Sequence, residues 1–145
     1  MKFEDIEKGS VVYYADIKNS ELVDGEIKIK QVQETKNYYA TGIKEILFTD
    51  GTMIMPDKTS SCLIKNQASL SNVTIPFSFM IYSCDYDICL KRLKEIVDEK
   101  IYEVNEIYKS SNIQLTRLCL INSSISNIED KKIKEEIVLD TVYTD

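Results

Sequence analysis

The sequence of 145 residues predicts an α+β fold, in which a small antiparallel β-barrel of about five short strands precedes a helical region. Short β-branched and aromatic runs, separated by turn residues, occupy the first part of the chain. A stripe of residues spaced alternately three and four apart, all apolar except Ser111 and Asn122, then runs from Leu90 to Ile125 without Gly or Pro, which predicts helix. The expected domains are a barrel at 1–64, a linker with an apolar strand at 65–82 and a helical region at 83–145.

The first two strands are predicted at 11–17 and 26–34 from β-branched and aromatic composition. In the second strand isoleucines alternate with lysines, so each type should occupy its own face. Val32 falls out of phase, and a bulge near 30–31 would return it to the apolar face of a curled sheet. The alternating residues are Ile27 and Ile29 on one face, with Lys28 and Lys30 on the other.

A third strand is expected at 38–48, after a turn at 35–37. Asp50-Gly51 then lies between two apolar runs, which predicts a two-residue type I′ hairpin. That hairpin would place Phe48 opposite Met53.

A last short strand at 61–64 would complete five strands in about 60 residues, a pattern typical of a small SH3-like barrel. A plain antiparallel meander is the alternative. The apolar segment 77–82 has strand character, and it is expected to extend the barrel or to lie between the barrel and the helix.

A helix is predicted from about 86 to 109, with Ser83 or Asp85 as its N-cap. Residues 110–112 are poor helix formers, so the chain either passes through them as a long helix or turns there into a helical hairpin. The continued apolar stripe favours a continuous or kinked helix. Further breaks are expected within 122–127, before a short C-terminal helix at 128–139.

An apolar stripe of this length must be covered, because a solitary helix is unstable in water. The sequence leaves two possibilities equally open. Either the N-terminal part of the same chain covers the stripe, or the helix at 85–125 forms a homodimer by coiled-coil contacts.

Composition disfavours several classes of function. The net charge is −6, and no three consecutive residues are Lys or Arg, so direct binding of nucleic acid is not expected. The polar start and the lack of a 20-residue apolar run predict neither a secretory signal nor a membrane span. The four cysteines lie among apolar residues, which is typical of reduced thiols in a cytoplasmic protein.

The sequence indicates no enzyme, no metal site and no cofactor. It has no histidine, the commonest general base, and none of the common catalytic or nucleotide-binding motifs. Asp50 with Asp16 or Asp57 offers two carboxylates for Mg²⁺, but aspartate in such positions is far more often present for turn geometry.

Two sets of residues are candidates for binding a partner. Exposed rings of the tyrosine doublets would form an aromatic cage or peptide groove, although cross-strand packing explains the same rings. Acidic side chains on one loop and on the helix would mimic phosphates towards a basic protein. The aromatic candidates are Tyr14, Tyr39 and Phe48, and the acidic ones are Glu21, Asp24, Glu26, Asp98, Glu99, Glu103 and Glu106.

The segments EKGSVVYY (7–14) and ILFTDGT (46–52) resemble SH3-like modules in small proteins of phages and mobile elements of AT-rich Firmicutes. The resemblance covers residues 7–64 at most. It implies a non-enzymatic interaction protein that inhibits a host protein such as a CRISPR nuclease or another defence component, as anti-CRISPR proteins do. The alternative is a module that reads a peptide or nucleic acid through exposed tyrosines and is dimerised by the helix.

Overall fold

The structure, a computed structural model, describes residues 1–66, 77–107 and 112–143. In these ranges one antiparallel sheet is followed by two helices, which confirms the α+β class. The strand order is β5-β4-β3-β1-β7-β6, with β2 paired to β1. The elements are β1 Val11–Lys18, β2 Glu21–Leu22, β3 Lys28–Tyr38, β4 Ile43–Phe48, β5 Met53–Ile54, β6 Cys62–Lys65, β7 Phe79–Ser83, α1 Tyr86–Ile107 and α2 Asn112–Tyr143.

Strand β3 curls the sheet, because its two halves pair with different strands. Its first half pairs with β1, where Gln31 lies opposite Val11, and its second half pairs with β4. The expected bulge is present, but the register shifts between Val32 and Glu34, slightly later than predicted. The predicted turn at 35–37 is wrong, since these residues continue β3 and the chain reverses between Tyr38 and Ile43.

The hairpin after β4 has a different register from the one predicted. Leu47, and not Phe48, lies opposite Met53. A type I′ turn requires positive φ at both central residues. Of the pair Asp50-Gly51 only Gly51 has positive φ, at 87°. The loop instead comprises three residues, 49–51, since the Phe48 N–H donates to the carbonyl oxygen of Thr52.

The apolar segment after residue 76 forms β7, which pairs with β1 on one side and with β6 on the other. Its side chains alternate between two cores. Phe79 and Ile81 face the helices, whereas Tyr82 faces a second core that includes Phe3 and Phe48. Within the predicted segment 65–82, residues 67–76 lie outside the described residues, and the linker part of the prediction falls mostly on them.

The two helices pack against each other and against the sheet. Lys94 Nζ lies 3.5 Å from Glu129 Oε1, and Lys132 pairs with Asp87. Since the later residue of α2 contacts the earlier residue of α1, the two helices are antiparallel. The prediction of a continuous or kinked helix is therefore wrong, and the helical hairpin is correct. Its connection at 108–111 lies outside the described residues. Neither helix in the described ranges is long and apolar enough to cross a membrane.

The expected breaks within 122–127 do not occur, and neither does a separate helix at 128–139, because α2 is one helix. Ser123 Oγ donates to the Cys119 carbonyl oxygen at 3.0 Å, and Ser124 Oγ donates to that of Leu120 at 3.3 Å. These bonds satisfy the hydroxyls on carbonyl oxygens of the preceding turn, so both serines are accommodated within the helix.

The chain itself covers the apolar stripe of α1 at the positions whose burial is described, from Leu90 to Ile101. Leu93 and Val97 are fully buried beside Leu118 and Ile121 of α2 and beside the sheet. Homodimerisation through 85–125 is not needed to cover these residues, and it stays a prediction.

Replacement of Leu118 by alanine tests the packing of α2. Leu118 is fully buried, so we expect Leu118→Ala to lower the free energy of unfolding by about 2–5 kcal/mol. Leu120→Ala removes the same atoms from the same helix, but Leu120 is 54% exposed, and its loss should stay within about 0.5 kcal/mol. Urea denaturation measures both values, and equal losses would contradict this orientation of α2.

Candidate functional site

The outward side of α1 is acidic. Asp98, Glu99 and Glu106 are exposed, and Glu103 lies at their margin. We call these four residues, together with Tyr102, the acidic face. The opposite side of the helix is buried in the core, so the acidic face points towards solvent.

An exposed tyrosine occupies the middle of the acidic face. Tyr102 is 69% exposed, although tyrosine carries a large apolar ring. Residues three and four positions apart are neighbours on a helix surface. Tyr102 is therefore bordered by Asp98 and Glu99 on one side and by Glu106 on the other.

The charge of the acidic face is only partly compensated. Segment 95–107 contains five acidic residues and one lysine, a net charge of −4. That lysine, Lys100, is buried and lies 3.3 Å from Glu103. Among the described residues, Asp98, Glu99 and Glu106 form no ion pair. Their charge is therefore available to a partner.

The predicted acidic loop is less uniformly negative than the acidic face, because basic side chains lie close to it. Glu21, Asp24 and Glu26 are all exposed. Asp24 forms an ion pair with Lys28. Glu26 borders a cavity of about 290 Å³ that is also lined by Lys131 and Lys132. The loop therefore presents mixed charge, and it is the weaker of the two acidic candidates for binding a basic partner.

Three aromatic rings meet on the side of the sheet that faces away from the helices. Tyr82 stacks on Tyr14 and on Phe48, with both pairs of ring centroids 5.9 Å apart. We call these three rings the aromatic box. Two of the predicted aromatic residues, Tyr14 and Phe48, are thus brought together.

The aromatic box already holds a cation of the chain itself. Lys30 Nζ lies 4.9 Å from the ring centroid of Tyr14, 5.6 Å from Phe48 and 5.7 Å from Tyr82. Its side chain is only 11% exposed. Such cation–π contacts, together with burial of the aliphatic stem, explain why a lysine occupies this position.

The isoleucines and lysines of the second strand occupy opposite faces, as their alternation predicts. Ile27 packs against the core beneath the helices, although Ile29 is 60% exposed, while Lys30 shares the other face with buried Val32. The predicted position of the bulge is wrong, because the bulge follows Val32 and leaves it on the face of Lys30. The even spacing of Lys30 and Val32 was the available signal.

A polar cap closes the aromatic box. Lys30 Nζ lies 3.1 Å from Asp50 Oδ2 and donates to Thr52 Oγ1 at 2.9 Å. Hydrogen bonds from the Thr52 hydroxyl and backbone N–H, and then from Lys30, lower the pKa of Asp50 to about 2. Burial raises the pKa of the Tyr82 hydroxyl.

The third predicted aromatic residue lies elsewhere. Tyr39 is 83% exposed in the turn between β3 and β4. Phe48 is at the far end of β4 and is fully buried, so its ring is not available to a ligand while the box is closed. At about 3.3 Å per residue, β4 alone separates the two by roughly 17 Å.

Two of the three carboxylates considered for Mg²⁺ have partners of other kinds. Asp50 pairs with Lys30, and Asp57 accepts hydrogen bonds from the backbone and hydroxyl of Thr59. In the described ranges no three Cys, Asp or Glu side chains are grouped so that they could hold a metal ion.

Substitution of Asp50 tests the polar cap. Asp50→Asn keeps the size and an acceptor for Thr52 but removes the charge. Since the folded-state pKa of Asp50 lies below the value of 3.8 for the unfolded chain, its stabilisation is complete above about pH 4 and is lost as the pH falls towards 2. The variant should be less stable than wild type above pH 4, by a small amount because Asp50 is half exposed. Urea unfolding across this pH window measures the difference, and a difference that does not change with pH would contradict the assignment.

Thiol labelling tests the burial of the cysteines. Burial raises the pKa of both Cys84 and Cys89 to about 12, so neither forms the reactive thiolate at neutral pH. Cys119 is exposed. We expect iodoacetamide to label Cys119 first, and Cys84 and Cys89 only in denaturant, as read by mass spectrometry. Equal labelling rates in the native protein would contradict the packing of β7 and α1.

No protein-family model, no curated protein and no solved structure matches the chain. The function is therefore inferred from the two surfaces described above, the acidic face of α1 and the aromatic box.

Proposed function

We propose that the chain is a non-enzymatic interaction protein, and that the acidic face of α1 binds a basic surface of another protein. The observation that supports this proposal most is the exposed ring of Tyr102 among the uncompensated carboxylates of Asp98, Glu99 and Glu106. A large exposed ring surrounded by charge of one sign suits an interface better than it suits a solvated surface.

The two components of the face have different roles in binding. Tyrosine is enriched among the residues that contribute most to protein–protein affinity, because its ring buries a large area with little loss of side-chain entropy. The carboxylates accelerate association with a positively charged surface and select against acidic partners. Tyr102 therefore supplies affinity, and its acidic neighbours supply specificity.

The partner in this proposal is a host nuclease or another defence protein with a basic nucleic-acid channel. Asp98 and Glu106 are eight residues apart, which corresponds to about 12 Å along a helix. One strand of DNA presents a phosphate per about 3.4 Å, hence about four phosphates over that length, and the face presents the carboxylates of Asp98, Glu99, Glu103 and Glu106. The resemblance of residues 7–64 to small phage and mobile-element proteins supports a target of this class, as for anti-CRISPR proteins.

The proposal retains an SH3-like identity for the sheet, supported by the curl of β3 between β1 and β4. A ligand-reading role for such a barrel has less support. Lys30 occupies the aromatic box, Phe48 is buried, and Tyr39 is remote from both. A peptide or nucleic acid would have to displace Lys30 before it contacted these rings.

Reversal of charge on the acidic face tests the proposal. The tagged protein is used for affinity capture from a lysate of a Gram-positive host, with and without nuclease treatment, read by mass spectrometry. We expect one stoichiometric, nuclease-resistant protein partner. The triple variant Asp98→Lys, Glu99→Lys, Glu106→Lys should no longer capture it. Tyr102→Ala should weaken its binding by about thirtyfold, as for a residue worth about 2 kcal/mol.

The matched control is the triple variant Glu21→Lys, Asp24→Lys, Glu26→Lys, which makes the same change in net charge on the loop. It should capture the partner as the wild type does. Capture by the helix variant, or capture that disappears after nuclease treatment, would refute the proposal.

A further inference from the structure

The second half of β3 has an open edge. On one side residues 34–38 pair with β4. On the other side β1 reaches only as far as Gln31, and Val32 is bonded to the backbone of Gly9 and Ser10. From Glu34 to Asn37 no backbone group on that side has a partner within the described residues.

An open edge offers a row of backbone donors and acceptors to another strand. In the described structure the edge bears charges that lack ion-pair partners. Glu34 forms no ion pair there, and neither does Lys36, whose Nζ lies 5.1 Å from the Tyr38 ring. Both side chains are exposed, on the outer face of the sheet. Their partners in β4 lie on the same face: Leu47 is opposite Glu34, and Glu45 is opposite Lys36.

We propose that this edge pairs with the same edge of a second copy of the chain, antiparallel and with the two-fold axis at Thr35. This pairing joins the two sheets into one. The partner is identified by charge complementarity. With the axis at Thr35, Glu34 of each copy lies opposite Lys36 of the other, on the same face of the joined sheet.

The charge pattern selects this register over its neighbours. A two-fold axis through Glu34 would place two glutamates opposite each other, and an axis through Lys36 would do the same with two lysines. Opposite charges in directly paired positions stabilise a sheet, whereas like charges destabilise it. Glu45 lies beside Lys36 in β4, so the joined sheet has a row of alternating charge across the interface.

The extent of the pairing is limited at Val32, because the backbone of Ser10 already occupies that position of the edge. About five residues of each strand, 33–37, therefore take part. Such a small interface predicts a weak dimer. Its exposed ion pairs also predict that dimerisation weakens as the salt concentration rises.

Charge exchange tests the dimer by sedimentation velocity over a range of protein concentrations. Wild type should dimerise. Glu34→Lys and Lys36→Glu should each weaken dimerisation by about tenfold or more, because each places two like-charged pairs across the interface. An equimolar mixture of the two variants should form a heterodimer, and the double variant should dimerise as the wild type does.

Glu4→Lys and Lys65→Glu are the matched controls, since they make the same charge changes at exposed positions away from this edge. Both should dimerise normally. A monomeric wild type would overturn the proposal. So would single variants that still dimerise, or a mixture of the single variants that stays monomeric.

This experiment is independent of the proposed function, because none of these variants changes a residue of the acidic face of α1.

Discussion

The fold depends on burying β7 on both of its faces. Phe79 and Ile81 require cover from the helices, while Tyr82 requires cover from the N-terminal segment and the strands β3 and β4. One sheet layer therefore separates two apolar cores, in the way that a parallel strand in an α/β protein is buried on both sides. The helical hairpin covers one face of β7, and the curled part of the sheet covers the other.

The sequence was most informative where one local signal was sufficient. Composition located β1, and apolar periodicity located the start of α1 and the inward side of its stripe. It was misleading where a side chain satisfied itself in an unexpected way. Ser123 and Ser124 bond back to their own helix, and Lys30 packs its stem over three rings. Neither arrangement follows from propensity, because each depends on partners that only the folded chain supplies.

The carboxylates of the candidate site could be predicted from the sequence, whereas its central tyrosine could not. The exposure of Asp98, Glu99 and Glu106 follows from the same periodicity that buries Leu93 and Val97, so the acidic face was accessible to sequence analysis. Tyr102 was missed because it lies outside the apolar stripe, and periodicity alone does not distinguish an exposed tyrosine from an ordinary surface residue. The aromatic box was predicted only in part: the sequence located two of its three rings, but not the burial of Lys30 against them, which depends on rings from three different strands.

The pairing of β1 with β7 has a consequence for the time course of folding. The paired residues are separated by 62 to 70 positions in the sequence, and the two strands lie in the middle of the sheet. Contacts of such separation are closed slowly, because the entropy of a long loop must be lost before they contribute stability. The helical hairpin, by contrast, consists of contacts nearer in sequence. During synthesis β1 therefore has an exposed edge until β7 has been made, and the chain is most prone to association with other chains in that interval.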